Sequence, residues 1–186
     1  IASFTLETDE LLEFIAFNDQ MYLTPAIEAM VPNQNLHALS PPNLLIISAE
    51  EFMTQAEQLA VFRETNDGLS TLVVTPQQIY NEFSSGVQDI SAIRDFAKYL
   101  YEKDTATGLQ YLLLFGKASY DYKDITANNT NFVPVWETEK SLNKVQSYCS
   151  DDFYTVFDEI GFQHIAIGRL PVTTVGGAQT VVQKLL

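Results

Sequence analysis

At 186 residues, 46% of them hydrophobic and 12% aromatic, the chain can bury one sizeable core and is too apolar to be disordered. Twenty-four acidic residues against 10 Lys and Arg give a formal net charge of −14, which excludes nucleic-acid binding, because that needs clustered cations. The single cysteine, Cys149, excludes an internal disulfide, and no apolar run approaches the roughly 20 residues of a membrane span, so this segment inserts in no membrane.

Residues 1–42 read as a lead-in and connector. FTLET (4–8) and EFIAFND (13–19) each have the pattern of a short strand, and Pro41-Pro42 closes the region by forbidding helix. From residue 43 the alternation is regular. NLLIIS (43–48) is a strand apolar on both faces, as in a covered parallel sheet. Ser48 and Glu51 have capping-box spacing, and Phe52, Ala56, Leu59 and Ala60 follow at helical intervals until Asn66-Asp67-Gly68 supplies a left-handed stop. LSTLVVT (69–75) is the second strand, and Pro76 opens the short helix PQQIYNEF.

Asp89 is placed to cap an amphipathic helix carrying Ile90, Ile93, Ala97, Leu100 and Tyr101 on one face. YLLLF (111–115) is a central strand, and FVPVW (132–136) is an edge strand because Pro134 cannot donate to a ladder. HIAIGRLPV (164–172) is the fourth core strand, and Thr173 or Thr174 caps a last helix with Ala178, Val181, Val182 and Leu185. Strands alternating with helices predict an α/β fold: a doubly wound, mostly parallel sheet flanked by helices in three layers. The chain begins with Ile1 and ends within a helical pattern, so a piece of a longer protein is expected.

In such a sheet, ligands sit beyond the carboxyl ends of the strands. The loops there carry no phosphate chemistry. Gly116-Lys117 has no glycine five residues earlier and is followed by Ala118, so it is not a Walker loop. The loop after the first strand, Ser48-Ala49-Glu50-Glu51, lacks the glycines of a dinucleotide fingerprint, so no nucleotide cofactor is expected. Cys149 is flanked by Asp151 and Asp152, which oppose thiolate formation, and the two histidines fall before the sheet (His37) and at the amino end of a strand (His164). An ordinary loop cysteine is the better reading. Asp121, Asp124, Asp151, Asp152 and Asp158 could converge at one edge. Oxygen-only clusters of that kind hold calcium or receive a basic side chain, and solvated loop carboxylates are the plainer alternative. Arg169 is placed to pair with one of them.

Several segments together resemble the gingipain-like cysteine peptidases, nearest to the sortase-like branch associated with type IX secretion. They are NQNLHAL (33–39), LLIISAEEF (44–52), IYNEFSSGVQDISAIRDFAKYLY (79–101), YLLLFGKASYDYKD (111–124), SDDFYTVFD (150–158) and IAIGRLPV (165–172). The resemblance implies a caspase-like domain of which 43–186 is the amino-terminal part. It also implies a thiolate mechanism on protein or peptide substrates, with no required cofactor. It implies the outer face of the outer membrane of a Gram-negative bacterium, with other secretion-system components as partners.

In that family the histidine of a His-Gly turn and the catalytic cysteine both follow the Gly-Arg-Leu-Pro segment. No residue here matches either, so no catalytic residue is assigned and the segment alone is expected to be inactive. Ser150-Asp151 resembles the segment whose Asp lines the specificity pocket of Arg-directed members, which makes Asp151, then Asp152, the pocket candidates. Gly116, Lys117, Tyr120 and Asp121 are candidates for the active rim, and Asp121, Asp124 and Asp158 for calcium. The family usually has Gly-Asp where this chain has Gly116-Lys117. That departure favours the alternative expectation, a non-catalytic binding or assembly module on the same scaffold.

Overall fold

The computed structural model describes residues 3–186 except 4, 8, 10, 12, 19, 21, 28, 29 and 141. The chain divides into two compact units, Ile1–Asn33 and Gln34–Leu186. The described residues of the first unit form no helix or strand. This corrects the two strands expected over 4–8 and 13–19, of which Phe4, Thr8 and Asp19 lie outside the described residues.

The second unit is built on a four-stranded sheet in the order β2-β1-β3-β6, where β1 is Leu44–Ser48, β2 Thr71–Val74, β3 Tyr111–Phe115 and β6 Ala166–Leu170. Every pairing is parallel: Leu45 faces Leu72 on one side and Leu112 on the other, and Leu112 faces Ile167. Two short strands, β4 (Trp136–Glu137) and β5 (Cys149–Ser150), pair antiparallel apart from the main sheet. The edge strand expected over 132–136 does not form. Pro134 turns its carbonyl to side chains of the site, and only Trp136 of that run enters a ladder.

Alternate residues of each strand point to opposite faces, which sorts the core into two clusters. Leu45, Ile47, Leu112 and Leu114 pack against α2 (Pro76–Phe83) and α3 (Ile90–Lys103), whose Ile79, Ile93, Phe96 and Leu100 are buried. On the other face, Leu44, Ile46 and Phe115 pack against α1 (Met53–Asp67) and α4 (Val175–Leu185) through Ala56, Leu59, Ala178 and Val182. The helices therefore cover both faces.

Most helix ends follow the expected chemistry. Gly68 takes the left-handed conformation (φ 67°) that ends α1, Asp89 accepts from Ser91 N at 2.7 Å, and Thr174 accepts from Gly177 N at 3.1 Å. The capping box lies elsewhere than expected: Thr75 and Gln78 form it at α2, whereas buried Ser48 donates to Ala49 O. Ser48 is the last residue of β1, and a 3-10 turn over Glu50–Phe52 separates it from α1.

The segment Gln34–Leu39 is part of the second unit. It docks on one carboxylate in α2: Glu82 accepts from Leu36 N (2.7 Å), Gln34 Nε2 (2.9 Å), His37 Nδ1 (2.7 Å) and His37 N (3.4 Å). Burial pushes the Glu82 carboxyl upward, but these donors outweigh it and hold the group below its usual range. The His37 ring stacks on Phe83, 4.6 Å between centroids.

Candidate active rim

The carboxyl ends of β3 and β6 are joined by backbone hydrogen bonds that run past both strands. Gly116 N donates to Leu170 O and Lys117 N to Val172 O, each at 3.0 Å, and Phe132 N returns to Lys117 O at 2.9 Å. Gly116 sits at φ +146°, and a Cβ there would come within 2.9 Å of Phe132 Cβ. Only glycine lets the chain turn this tightly against the 132–133 segment.

Arg169, the fourth residue of β6, organises the rim. Its Nε and Nη2 donate to the two oxygens of Asp151 at 2.8 and 2.7 Å. Nη1 donates to Gly116 O (2.8 Å) and Val133 O (2.7 Å), and Nη2 also donates to Pro134 O (3.0 Å). All five guanidinium N–H bonds are thus satisfied. The side chains of Arg169 and Asp151 are 12% and 24% exposed. One cation therefore ties the exit of β3, the 133–134 turn and the segment after β5 into a single body. Tyr154 braces it from the core by donating to Pro134 O at 2.8 Å, and burial holds that phenol protonated.

Beside this clamp opens a cavity of about 610 Å³ lined by Lys117, Tyr120, Asp121, Cys149, Asp151 and Arg169, among others. The structure thus brings together residues from the loops after β3 and β5. Lys117 is exposed at the mouth. The neighbouring Cys149 side chain pushes the Tyr120 phenol above its ordinary range.

The other site candidates are placed as follows. Asp152 is exposed and accepts from Gln163 Nε2 at 2.7 Å. The Asp121 carboxylate accepts from Ile125 N, Thr126 N and Thr126 Oγ1 at 3.0, 2.7 and 2.7 Å, which holds it below the usual range. Asp124 has φ 54°, at the turn of the same loop. Asp158 lies away from the rim. It accepts from Ile160 N and Gly161 N at 3.0 and 3.2 Å and approaches His164 Nε2 at 3.3 Å. His164 lines a separate hollow with Gln110 and Ala166, at the amino ends of β3 and β6. The three calcium candidates are therefore not gathered. Among the described residues no group of three or more His, Cys, Asp or Glu side chains comes together as a metal cage.

His37 is held by Glu82 and His164 by Asp158, so the described hydrogen bonds give neither histidine to Cys149. What the arrangement offers is a preformed rim: backbone and side-chain groups fixed at the carboxyl edge of a parallel sheet, next to an open cavity. The clamp was half visible in the sequence, where Arg169 stands out as the cation able to pair with a rim aspartate. Its three carbonyl acceptors have no sequence signal.

The parallel α/β architecture agrees with comparison against known proteins. Residues 37–186 match Peptidase family C25, and the chain belongs to that family of cysteine peptidases. Among solved structures it is similar to the one titled "Crystal structure of dimeric latent PorU from Porphyromonas gingivalis". The match has 34% identity and a TM-score of 0.70, and it covers 83% of this chain and 16% of that one. The chain therefore spans a small fraction of the length of this relative. No curated protein matches it.

Proposed function

We propose that this chain forms the amino-terminal scaffold and one wall of the peptide site of a longer cysteine peptidase that processes proteins at a bacterial cell surface. Nucleophile and base are then supplied by residues outside these 186. The observation that carries this reading is the Arg169 clamp, which fixes an open cavity at the carboxyl edge of a family C25 sheet. The similarity to PorU supports a secretion-associated setting, with protein substrates and other secretion components as partners.

The rim's role is to position a peptide. A rigid edge fixes the extended chain of a substrate so that a thiolate brought from elsewhere meets one carbonyl. Asp151 is engaged on both oxygens by Arg169, so its role is to hold the pocket wall; Asp152 accepts from Gln163 and does not line the cavity. Lys117, an exposed cation at the mouth, favours the second reading, a binding module that retains the scaffold without the chemistry.

One experiment separates them. The full-length protein is assayed for peptide cleavage as wild type and as Cys149→Ala, beside the 186-residue chain alone. The peptidase reading expects activity in the full-length protein, retention of it in Cys149→Ala, and none in the isolated chain. Loss of activity in Cys149→Ala would overturn the assignment of the nucleophile to residues outside this chain. Peptide binding without cleavage by the wild type would favour the binding module.

A further inference from the structure

The cavity at the rim has an unevenly engaged wall. Its charged lining residues are Lys117, Asp121, Asp151 and Arg169. Asp151 and Arg169 neutralise one another through hydrogen bonds of 2.8 and 2.7 Å. The Asp121 carboxylate is held by its own loop, where Ile125 N, Thr126 N and Thr126 Oγ1 donate to it. Lys117 differs from all three. Among the described residues its ammonium makes neither an ion pair nor a hydrogen bond.

The neutral groups of the same wall are biased in the same direction. The loop's backbone bonds engage Lys117 N with Val172 O and Ser119 N with Asn131 Oδ1, and they pass over Ala118 N between them. Ser119 Oγ accepts from Asp121 N at 3.1 Å, so its own proton is left to donate, and Thr130 Oγ1 has no partner among the described residues. Ala118, Ser119 and Thr130 all line the cavity and are half-buried. Unengaged donors at such a surface are taken up by water or by a ligand. Here they are a cation, an amide and two hydroxyls, whereas both carboxylates already have their donors. A group that only accepts complements this wall, and among protein side chains that group is an ionised carboxylate.

We infer that the rim cavity is a subsite for an aspartate or glutamate side chain of the bound peptide. Lys117 selects the charge, and Ala118 N with the Ser119 and Thr130 hydroxyls supplies neutral donors beside it. The assignment rests on the peptide-site reading of the rim and adds a residue preference to it. The net charge of −14 opposes an anion only at long range. That field is screened over about 8 Å at physiological salt, whereas Lys117 acts at contact.

The test uses the full-length protein and rhodamine-labelled octapeptides with amidated C-termini, in which one glutamate or one glutamine is moved through every position. Binding is read by anisotropy and cleavage by mass spectrometry. At one position glutamate should bind about tenfold more tightly than glutamine. Lys117→Gln should bring that ratio to about twofold or less, Lys117→Glu should invert it, and Thr130→Val should reduce it by about twofold. Lys123→Gln removes the same charge from an exposed lysine that does not line the cavity, and should keep the wild-type ratio. Each ratio compares two peptides on one protein, so a general loss of binding cancels.

A ratio near one at every position, a preference that survives Lys117→Gln, or one lost equally in Lys123→Gln would overturn the subsite. Binding of no peptide would overturn the peptide-site reading and the subsite with it. Cleavage without a glutamate preference would leave the peptidase reading standing and remove the subsite. A preference that depends on Lys117, without any cleavage, would support the subsite and count against the peptidase.

Discussion

Arg169 shows how much of this site rests on one side chain. It joins five acceptors from three separate segments, and most of its surface is out of water. Removing the cation leaves Asp151 without its partner and takes the donor from the Gly116 and Val133 carbonyls, while Pro134 O keeps only Tyr154. Arg169→Met should therefore lower stability by about 3 kcal/mol, measured by urea unfolding. Arg169→Lys should recover only a minor part, because a point ammonium cannot span the same fork. A loss below about 0.5 kcal/mol in Arg169→Met would show that the clamp does not hold the rim together. Gly116 is the backbone counterpart. Gly116→Ala combines a left-handed strain with a clash against Phe132, and should cost about 2 kcal/mol in the same assay.

The sequence spoke unevenly about these residues. Gly116 and Arg169 stood out because a glycine after an apolar strand and a lone cation among aspartates are unusual. Glu82 did not. An acid in an amphipathic helix looks the same whether it faces solvent or binds a distant segment. Asp158 misled for the opposite reason: it is close in sequence to the rim residues, yet its loop carries it to the amino end of the sheet, beside His164.

At the scale of elements, the four parallel strands and four helices were legible, since each apolar run has the length and flanking residues of its type. The paired strands β4 and β5 were not, because two-residue strands carry no periodicity. The docking of Gln34–Leu39 on α2 was equally silent, yet it makes a pH-dependent prediction. The Glu82 carboxyl is held below its ordinary range, so its stabilising effect is full above the range of an unfolded carboxylate and is lost as pH falls through its lowered folded value. Glu82→Gln should be less stable than wild type by about 1.5 kcal/mol at neutral pH, and the difference should shrink as pH drops below about 4. Thermal unfolding of both proteins across that range reads it. A difference independent of pH would mean that the carboxylate's charge is not what holds the segment.

For the molecule as a whole, the net charge of −14 is unevenly used. Much of the acid is surface, but at the carboxyl edge Asp121 and Asp151 are engaged by donors while Lys117 stands free. The parallel order β2-β1-β3-β6 is what puts these groups on one edge, and membership of family C25 gives that edge its chemical meaning.

The most direct measurement is photo-cross-linking of the full-length protein with a substrate-length peptide bearing one benzoylphenylalanine, followed by peptide mapping. Adducts within 117–121 and 149–152 are predicted. Adducts confined to the opposite end of the sheet, around 101–110 and 163–166, or none within this chain, would contradict the assignment of the carboxyl edge as the peptide-binding rim.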